Sequence, residues 1–213
     1  MDMNGMEAEL LGLLQVEHTD RYPSPAVALN AEMRGICKRR STRYNWTEGV
    51  FVQAATDETV PLPVRWKKTD RLWYLHPQDG SVVEMEQEVD RRRFDGRYPP
   101  STPLGIPRRF VVSGDTIYMR PAPSADLSIV HEYWEILADV SGAGTNPLIQ
   151  DHWEMIVYAA AAFHGSLWIG EGARMQEFAP IAQRLEADYV AACGAGKADG
   201  PRRTFAPGRV RGR

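Results

Sequence analysis

Apolar residues recur at helical spacing near the start of the chain. Within residues 6–16, "MEAELLGLLQV", Leu10, Leu11 and Leu14 fall on one helical face and predict a short amphipathic helix. A second helix is better marked, because Ser24 is a suitable N-cap, Pro25 fits the first helical position, and the basic run "CKRR" suits its end. Its apolar positions are Leu29, Met33 and Ile36. The chain therefore begins with a predicted pair of helices.

The strongest helical pattern lies near the C-terminus, where Asn146 and Pro147 begin a long helix. Its apolar stripe recurs at spacings of four and three: Ile149, Trp153, Ile156, Ala160, Phe163 and Leu167. The glycines of "GEG" at 170–172 interrupt it. A following helix carries a second stripe: Phe178, Ile181, Leu185, Tyr189 and Ala192. A short break between two long amphipathic helices predicts an antiparallel helix hairpin.

Between about Asn45 and Ile136 the pattern changes to short runs of β-strand character separated by turn residues. These runs are "GVFVQA", "RLWYLH", "RRFVV", "TIYMR" and "DLSIVHEYWEI". The clearest hairpin has "SGD" at 113–115 as its turn. The segment "EMEQEVDRRRFDGRYPPSTP" is expected to begin as a short helix and to end in a proline-rich loop, and its charge runs are expected to be solvated faces. The strands together predict an antiparallel meander.

These elements predict an α+β fold that is mainly a helical bundle. The bundle would combine the N-terminal helix pair with the long C-terminal antiparallel helix hairpin, from residues 1–44 and 137–196. Residues 45–136 would form an inserted antiparallel β region, and residues 197–213 an extended basic C-terminal arm. A chain of 213 residues with 43% hydrophobic side chains can bury one core with a smaller satellite.

Charge is distributed unevenly along the chain. The last seventeen residues, "KADGPRRTFAPGRVRGR", carry six basic side chains and one acidic one. Because the whole chain has a formal charge of −3, residues 1–196 carry −8. An acidic body with a basic tail indicates two surfaces with different partners.

The chain carries no pattern for secretion, membrane insertion or a bound cofactor. The start "MDMNGMEAELL" lacks the features of a signal peptide, so we expect a cytoplasmic protein. The longest apolar run, at 155–163, has nine residues, whereas a membrane crossing needs about 20. Cys37 and Cys193 stand apart from any Cys or His cluster, so neither a disulfide nor a zinc site is indicated.

Motifs of common enzyme classes are missing from the sequence. There is no GxSxG elbow, Walker A loop or GxGxxG, and "GAGKADG" at 194–200 lacks the spacing of a phosphate-binding loop. The run "HEYWE" at 131–135 ends in glutamate where a zinc-protease helix has histidine, and it has strand character. His152 and His164 would be about 18 Å apart on one helix, too far to share a metal. We therefore expect no catalysis, metal or cofactor.

The composition of the arm leaves three interpretations open. It can be a disordered solubilising tail. It can bind nucleic acid through its arginines, although it lacks interleaved aromatic residues and the acidic body would repel phosphates. It can be a docking arm, in which arginines make bidentate bonds to carboxylates and Phe205 is an apolar anchor. Ordering costs about 1 kcal/mol per residue, so a docking arm works best when many copies engage together on a ring.

The order of elements resembles the head-tail adaptor (connector) proteins of tailed bacteriophages. Two short helices precede a β insertion, then "IPRRFVVSGDTIYMRPAPSADLSIVHEYWEI" and "TNPLIQDHWEMIVYAAAAFHGSLWIGEGARMQEFAPIAQRLEADY". The features that carry the resemblance are Pro107, Phe110, Gly114, the "RPAP" of Arg120–Pro123, the aromatic pair Tyr133 and Trp134, and Thr145 with Asn146 at a helix start.

The resemblance implies a structural virion protein that is not an enzyme. Such adaptors form a ring beneath the portal, commonly twelve-fold, that extends the DNA channel toward the tail, and double-stranded DNA would pass through without specific binding. The implied partners are the portal protein, identical subunits and a downstream neck or tail protein, in the virion neck after assembly in the host cytoplasm.

In this family a C-terminal arm often clasps the portal, which implies the following contact residues: Arg202, Arg203, Phe205, Pro207, Arg209, Val210 and Arg211. The alternatives are another neck or tail-completion protein, or a nucleic-acid-binding regulator that uses the basic arm.

Overall fold

The computed structural model describes residues 1–16, 24–100, 102–165 and 172–195. Within these residues the chain forms five helices and seven strands, divided between two compact units. The first unit comprises Met1–Met33, Thr42–Tyr44 and the described residues from Asp139 onward. The second unit comprises Arg34–Ser41 and Asn45–Ala138.

The bounds of the elements are as follows. The helices are α1 (Met3–Leu14), α2 (Pro25–Arg39), α3 (Arg91–Arg97), α4 (Pro147–His164) and α5 (Gly172–Ala195). The strands are β1 (Trp46–Gln53), β2 (Thr59–Pro61), β3 (Trp66–Leu75), β4 (Val82–Glu88), β5 (Arg109–Ser113), β6 (Thr116–Arg120) and β7 (Leu127–Glu135).

Capping residues set the helix starts in the first unit. The Asp2 carboxylate accepts a hydrogen bond from the Gly5 amide at 2.8 Å and begins α1, which packs against α4. The start predicted for α4 is confirmed, because the Asn146 side chain accepts from the Ile149 amide at 2.9 Å and Pro147 follows the cap. The α2 bounds agree with the predicted second helix.

The predicted antiparallel packing of α4 and α5 is confirmed by two ring contacts. The ring centres of Tyr158 and Phe178 are 6.1 Å apart, and those of His152 and Tyr189 are 4.9 Å apart. The earlier residue of α4 therefore contacts the later residue of α5, as in an antiparallel pair. The apolar stripe predicted for α4 is partly wrong, since Phe163 is 57% exposed. His152 has non-helical dihedral angles, φ −139° and ψ 30°, so the helical spacing does not continue unchanged through it.

The second unit is built on one seven-stranded sheet. The strand order is β1-β7-β3-β4-β5-β6-β2, with β4 and β5 parallel and the other neighbouring pairs antiparallel. The inward-facing side chains form its core: Leu72, Tyr74, Met85, Phe110, Ile117, Met119, Leu127 and Ile129. Burial of this apolar surface is the main favourable contribution to its stability.

The predicted fold class is wrong. The protein has a mostly β fold built on a nearly closed, barrel-like sheet with short helices, not a helical bundle that carries an inserted meander. A meander would pair strands in chain order, whereas β7 lies between β1 and β3, and β2 pairs with β6. Local periodicity identifies single elements, but the pairing of strands far apart in sequence depends on the core that they share.

The segment predicted to begin as a short helix begins instead as a strand. β4 turns Met85 and Val83 toward the core and leaves Glu84 and Glu86 exposed, a period of two typical of a strand. Helix α3 begins only after Asp90, whose carboxylate accepts from the Arg92 amide at 2.6 Å. Strand β2, which has three residues, was not predicted from the sequence.

Helix α3 covers the outer face of β5 and β6. Phe94 of this helix is fully buried, and the Arg91 guanidinium lies 3.5 Å from the centre of the Tyr118 ring. Arg120 on the same face is 2% exposed and forms ion pairs with Glu58 and Asp95, each at 3.1 Å. Its guanidinium also donates to the Tyr98 carbonyl. The Arg of the "RPAP" motif therefore joins α3 to the sheet.

Candidate functional site

The predicted portal-binding residues lie outside the described part of the chain: Arg202, Arg203, Phe205, Pro207, Arg209, Val210 and Arg211. Their assignment stays a prediction. The described residues offer other surfaces for contact, of which two lie in the second unit and one in the first.

The first surface is the side of β1, β7, β3 and β4 that faces away from the core, here named the outer apolar face. Strand pairing places Val50, Val130 and Trp73 side by side, and Leu75 beside Val82. The side chains exposed by half or more are Val50 at 63%, Val52 at 68%, Leu75 at 56% and Val82 at 50%. Single exposed valines are ordinary, but neighbours on adjacent strands form a patch typical of interaction sites.

An ion pair between the exposed Arg71 and the buried Glu132 holds the centre of the outer apolar face in place. Glu132 is 6% exposed and accepts two hydrogen bonds from Arg71, both at 2.7 Å, and one from the Trp73 indole at 2.8 Å. Burial alone would raise the pKa of Glu132, but these hydrogen bonds and the Arg71 charge lower it below its usual value. Glu132 therefore stays ionised and fixes the Trp73 ring rather than acting as a proton acceptor.

Carboxylates border the outer apolar face. Glu84 on β4 is paired with Trp73 on β3, and Glu48 on β1 is paired with Glu132 on β7. Both side chains are exposed, and neither forms an ion pair with a described residue. The face therefore combines exposed apolar side chains with the carboxylates of Glu48 and Glu84, the Arg71–Glu132 ion pair, and Lys68, whose ammonium lies 5.5 Å from the centre of the Trp134 ring.

The second surface is the solvent side of α3, here named the basic face: Val89, Arg92, Arg93 and Arg97. Val89 is 96% exposed directly before the helix. Arg97 pairs with Glu88 at 3.2 Å, whereas Arg92 and Arg93 are exposed and have no ion-pair partner in the described part of the chain. This face is therefore positive with an apolar residue at its edge.

The first unit contains a cleft of about 400 Å³ between α4 and α5. It is lined by Asp151, His152, Trp153, Glu154, Met155, Leu185, Asp188, Tyr189 and Ala192. His152 lies 3.0 Å from the Tyr44 hydroxyl, which donates to Asp151 at 3.0 Å, and burial lowers the pKa of His152. The lining includes no Ser, Thr or Cys.

No three metal-binding side chains cluster within residues 1–16, 24–100, 102–165 and 172–195. Over the same ranges, no helix has both the length and the apolar composition that a membrane crossing requires.

The "HEYWE" segment is a strand, as predicted, so its alternate residues point to opposite faces of the sheet. Glu132 lies on the outer face, while His131 is 2% exposed and lies 3.0 Å from the Thr69 hydroxyl. Burial lowers the pKa of His131 to about 4. His131 is therefore a neutral part of the packed interior.

This burial predicts a loss of stability in mild acid. The unfolded chain takes up a proton on His131 near pH 6.5 and the folded protein only near pH 4, so the free energy of unfolding falls as pH drops through this window. We expect a loss of about 2 kcal/mol at pH 5 that His131→Gln removes. Urea unfolding at pH 7.5 and pH 5 measures it, with His76→Gln as the matched control. Equal pH dependence of native protein and His131→Gln would contradict this assignment.

A comparison with known families finds one that accounts for nearly the whole chain. The family model described as the SU10 adaptor protein matches residues 7–211, which span both units and the arm as far as Arg211. A comparison with curated proteins finds no match. The resemblance to phage head-tail adaptors read from the sequence is confirmed by the family match. The chain belongs to the SU10 adaptor protein family, a family of bacteriophage head-tail adaptors.

Proposed function

We propose that this phage adaptor protein forms a ring that docks on the portal through its C-terminal arm and extends the DNA channel toward the tail. The observation that carries the proposal is the extent of the family match, which continues through residue 211 and so includes the proposed contact residues. A tail unrelated to the adaptor function would not need to be part of the family pattern. The extent of the match therefore supports a role of the arm in the adaptor function.

The chemistry of the arm suits a contact with carboxylates. Arg202, Arg203 and Arg209 can each make two parallel hydrogen bonds to one carboxylate, and Phe205 supplies an apolar anchor. The prolines reduce the entropy lost when the segment becomes ordered. A single arm still binds weakly, because ordering costs about 1 kcal/mol per residue. A ring, which we propose to have twelve copies, raises the effective concentration of the remaining arms once the first has bound.

The charge distribution suits a channel for DNA. Residues 1–196 carry a formal charge of −8, and an acidic lumen repels phosphates instead of holding them. Double-stranded DNA then slides through without specific binding. The end of the ring away from the portal would meet the next neck or tail protein. No catalytic step is part of this function, which agrees with a structural adaptor family.

Ring formation on the portal tests this function directly. Full-length protein is mixed with purified portal rings, and native mass spectrometry counts the bound copies. We expect twelve adaptor subunits on each portal ring. Absence of a complex would contradict the proposal, and salt-sensitive retention on DNA in its place would favour a nucleic-acid-binding regulator.

A further inference from the structure

We propose that neighbouring copies in the ring meet head to tail, with the outer apolar face of one subunit against the basic face of the next. This inference rests on the proposed ring and names the two surfaces that close it. Both surfaces lie in the second unit and belong to described residues.

The outer face of the sheet is covered at one end of the strand order and bare at the other. Where α3 packs on this face, Phe94 of the helix and Val111 of β5 are each 1% exposed or less. At β1, β3 and β4, the side chains of Val50, Val52, Leu75 and Val82 stay half or more exposed. Apolar surface of this kind gains free energy when a partner removes it from water. The outer face at β1, β3 and β4 therefore has no element packed on it in the way that α3 packs on β5, among the described residues.

Charge identifies a second copy of this chain as the cover. The outer apolar face is bordered by Glu48 and Glu84, and the basic face presents Arg92 and Arg93. All four charges are exposed and lack ion-pair partners among the described residues. Unpaired carboxylates on one surface and unpaired guanidinium groups on the other favour the encounter of unlike faces. Val89, which is 96% exposed beside the arginines, adds an apolar contact to the match.

The contact must join two different surfaces for geometric reasons. Pairing two outer apolar faces would bring Glu48 and Glu84 of both copies together, and like charges repel. A contact between unlike faces is heterologous, and repeated copies of a heterologous contact close into a ring when the rotation permits. Head-to-tail pairing therefore produces the assembly that an adaptor ring needs.

Charge reversal in two complementary variants tests the pairing. Variant one carries Arg92→Glu and Arg93→Glu, and variant two carries Glu48→Lys and Glu84→Lys. Each alone places like charges at every contact, so we expect the concentration needed for assembly to rise about tenfold or more. An equimolar mixture restores assembly, because each contact then joins either two native faces or two reversed faces. Native mass spectrometry with portal rings gives the subunit counts.

The controls separate this inference from the proposed function. Asp57→Lys with Asp115→Lys reverses two exposed charges outside both faces and is expected to assemble as the native chain does. Thermal melting confirms that each variant folds.

Native rings together with unchanged assembly of both variants, or a loss that mixing does not restore, would overturn this inference alone. Native subunits that do not assemble on portal rings would overturn the proposed function and this inference together. Loss of DNA binding by variant one with assembly intact would assign the basic face to nucleic acid and also overturn the pairing.

Discussion

Ending the chain after Gly196 is expected to abolish attachment to the portal while the protein still folds. The deletion removes the seventeen-residue arm with its six basic side chains, and with it every proposed portal contact. The buried apolar residues of both units that the structure describes all precede the deletion, so the melting temperature should change little. Co-purification with portal rings measures attachment, and thermal unfolding checks the fold.

Two milder variants separate charge from shape in the arm. Replacing Arg202, Arg203 and Arg209 by lysine keeps the charge but removes bidentate bonding, so we expect weakened attachment. Lys197→Ala removes one charge outside the proposed contact residues and is the matched control. Undiminished attachment of the shortened chain would refute the assignment of the arm.

Replacing Arg120 by methionine is expected to destabilise the second unit by about 3 kcal/mol. Arg120 is 2% exposed, and its guanidinium serves Glu58, Asp95 and the Tyr98 carbonyl together. Methionine fills part of the volume but donates no hydrogen bond, so these acceptors lose their shared partner. Urea unfolding at neutral pH measures the change in the free energy of unfolding.

Arg93→Met is the matched control for this prediction. Arg93 is exposed on α3 and has no ion-pair partner among the described residues, so its replacement should change stability by no more than about 0.5 kcal/mol. Similar stability of both variants would show that the Arg120 network does not hold α3 to the sheet.

Local patterns in the sequence were sufficient for many single elements. Pro25 and Asn146 identified helix starts because capping depends on a few adjacent residues. The hairpin of β5 and β6 was identified from its turn, in which Gly114 adopts a positive φ of 60°. These features depend on the geometry of a few adjacent residues, so the local sequence is enough to predict them.

Pairing between distant strands was not predictable in the same way. β1 pairs with β7 over eight residues, from Trp46 opposite Trp134 to Gln53 opposite Leu127, although the rest of the sheet separates them in sequence. β4 was interpreted as helix because its glutamates favour helices, and only burial of Met85 in the shared core determines the strand. The burial of Arg120, at the end of β6, likewise depends on α3, which is a separate element earlier in the chain.

The outer apolar face has a signal in the sequence of β1. In "EGVFVQ" the valines flank Phe51, so β1 is apolar on both of its sides. Strands apolar on both sides are usually covered on both sides. The basic run before Phe94 was interpreted as a solvated face, because a charge pattern alone does not reveal a partner.

Reconstruction of the neck in assembled phage particles by electron cryomicroscopy tests the central claim most directly. The account predicts a ring of adaptor subunits below the portal, with residues 197–213 of each copy lying on the portal surface and an acidic lumen around the DNA. Arms that fold back on their own subunits, or adaptor copies that make no contact with the portal, would contradict it.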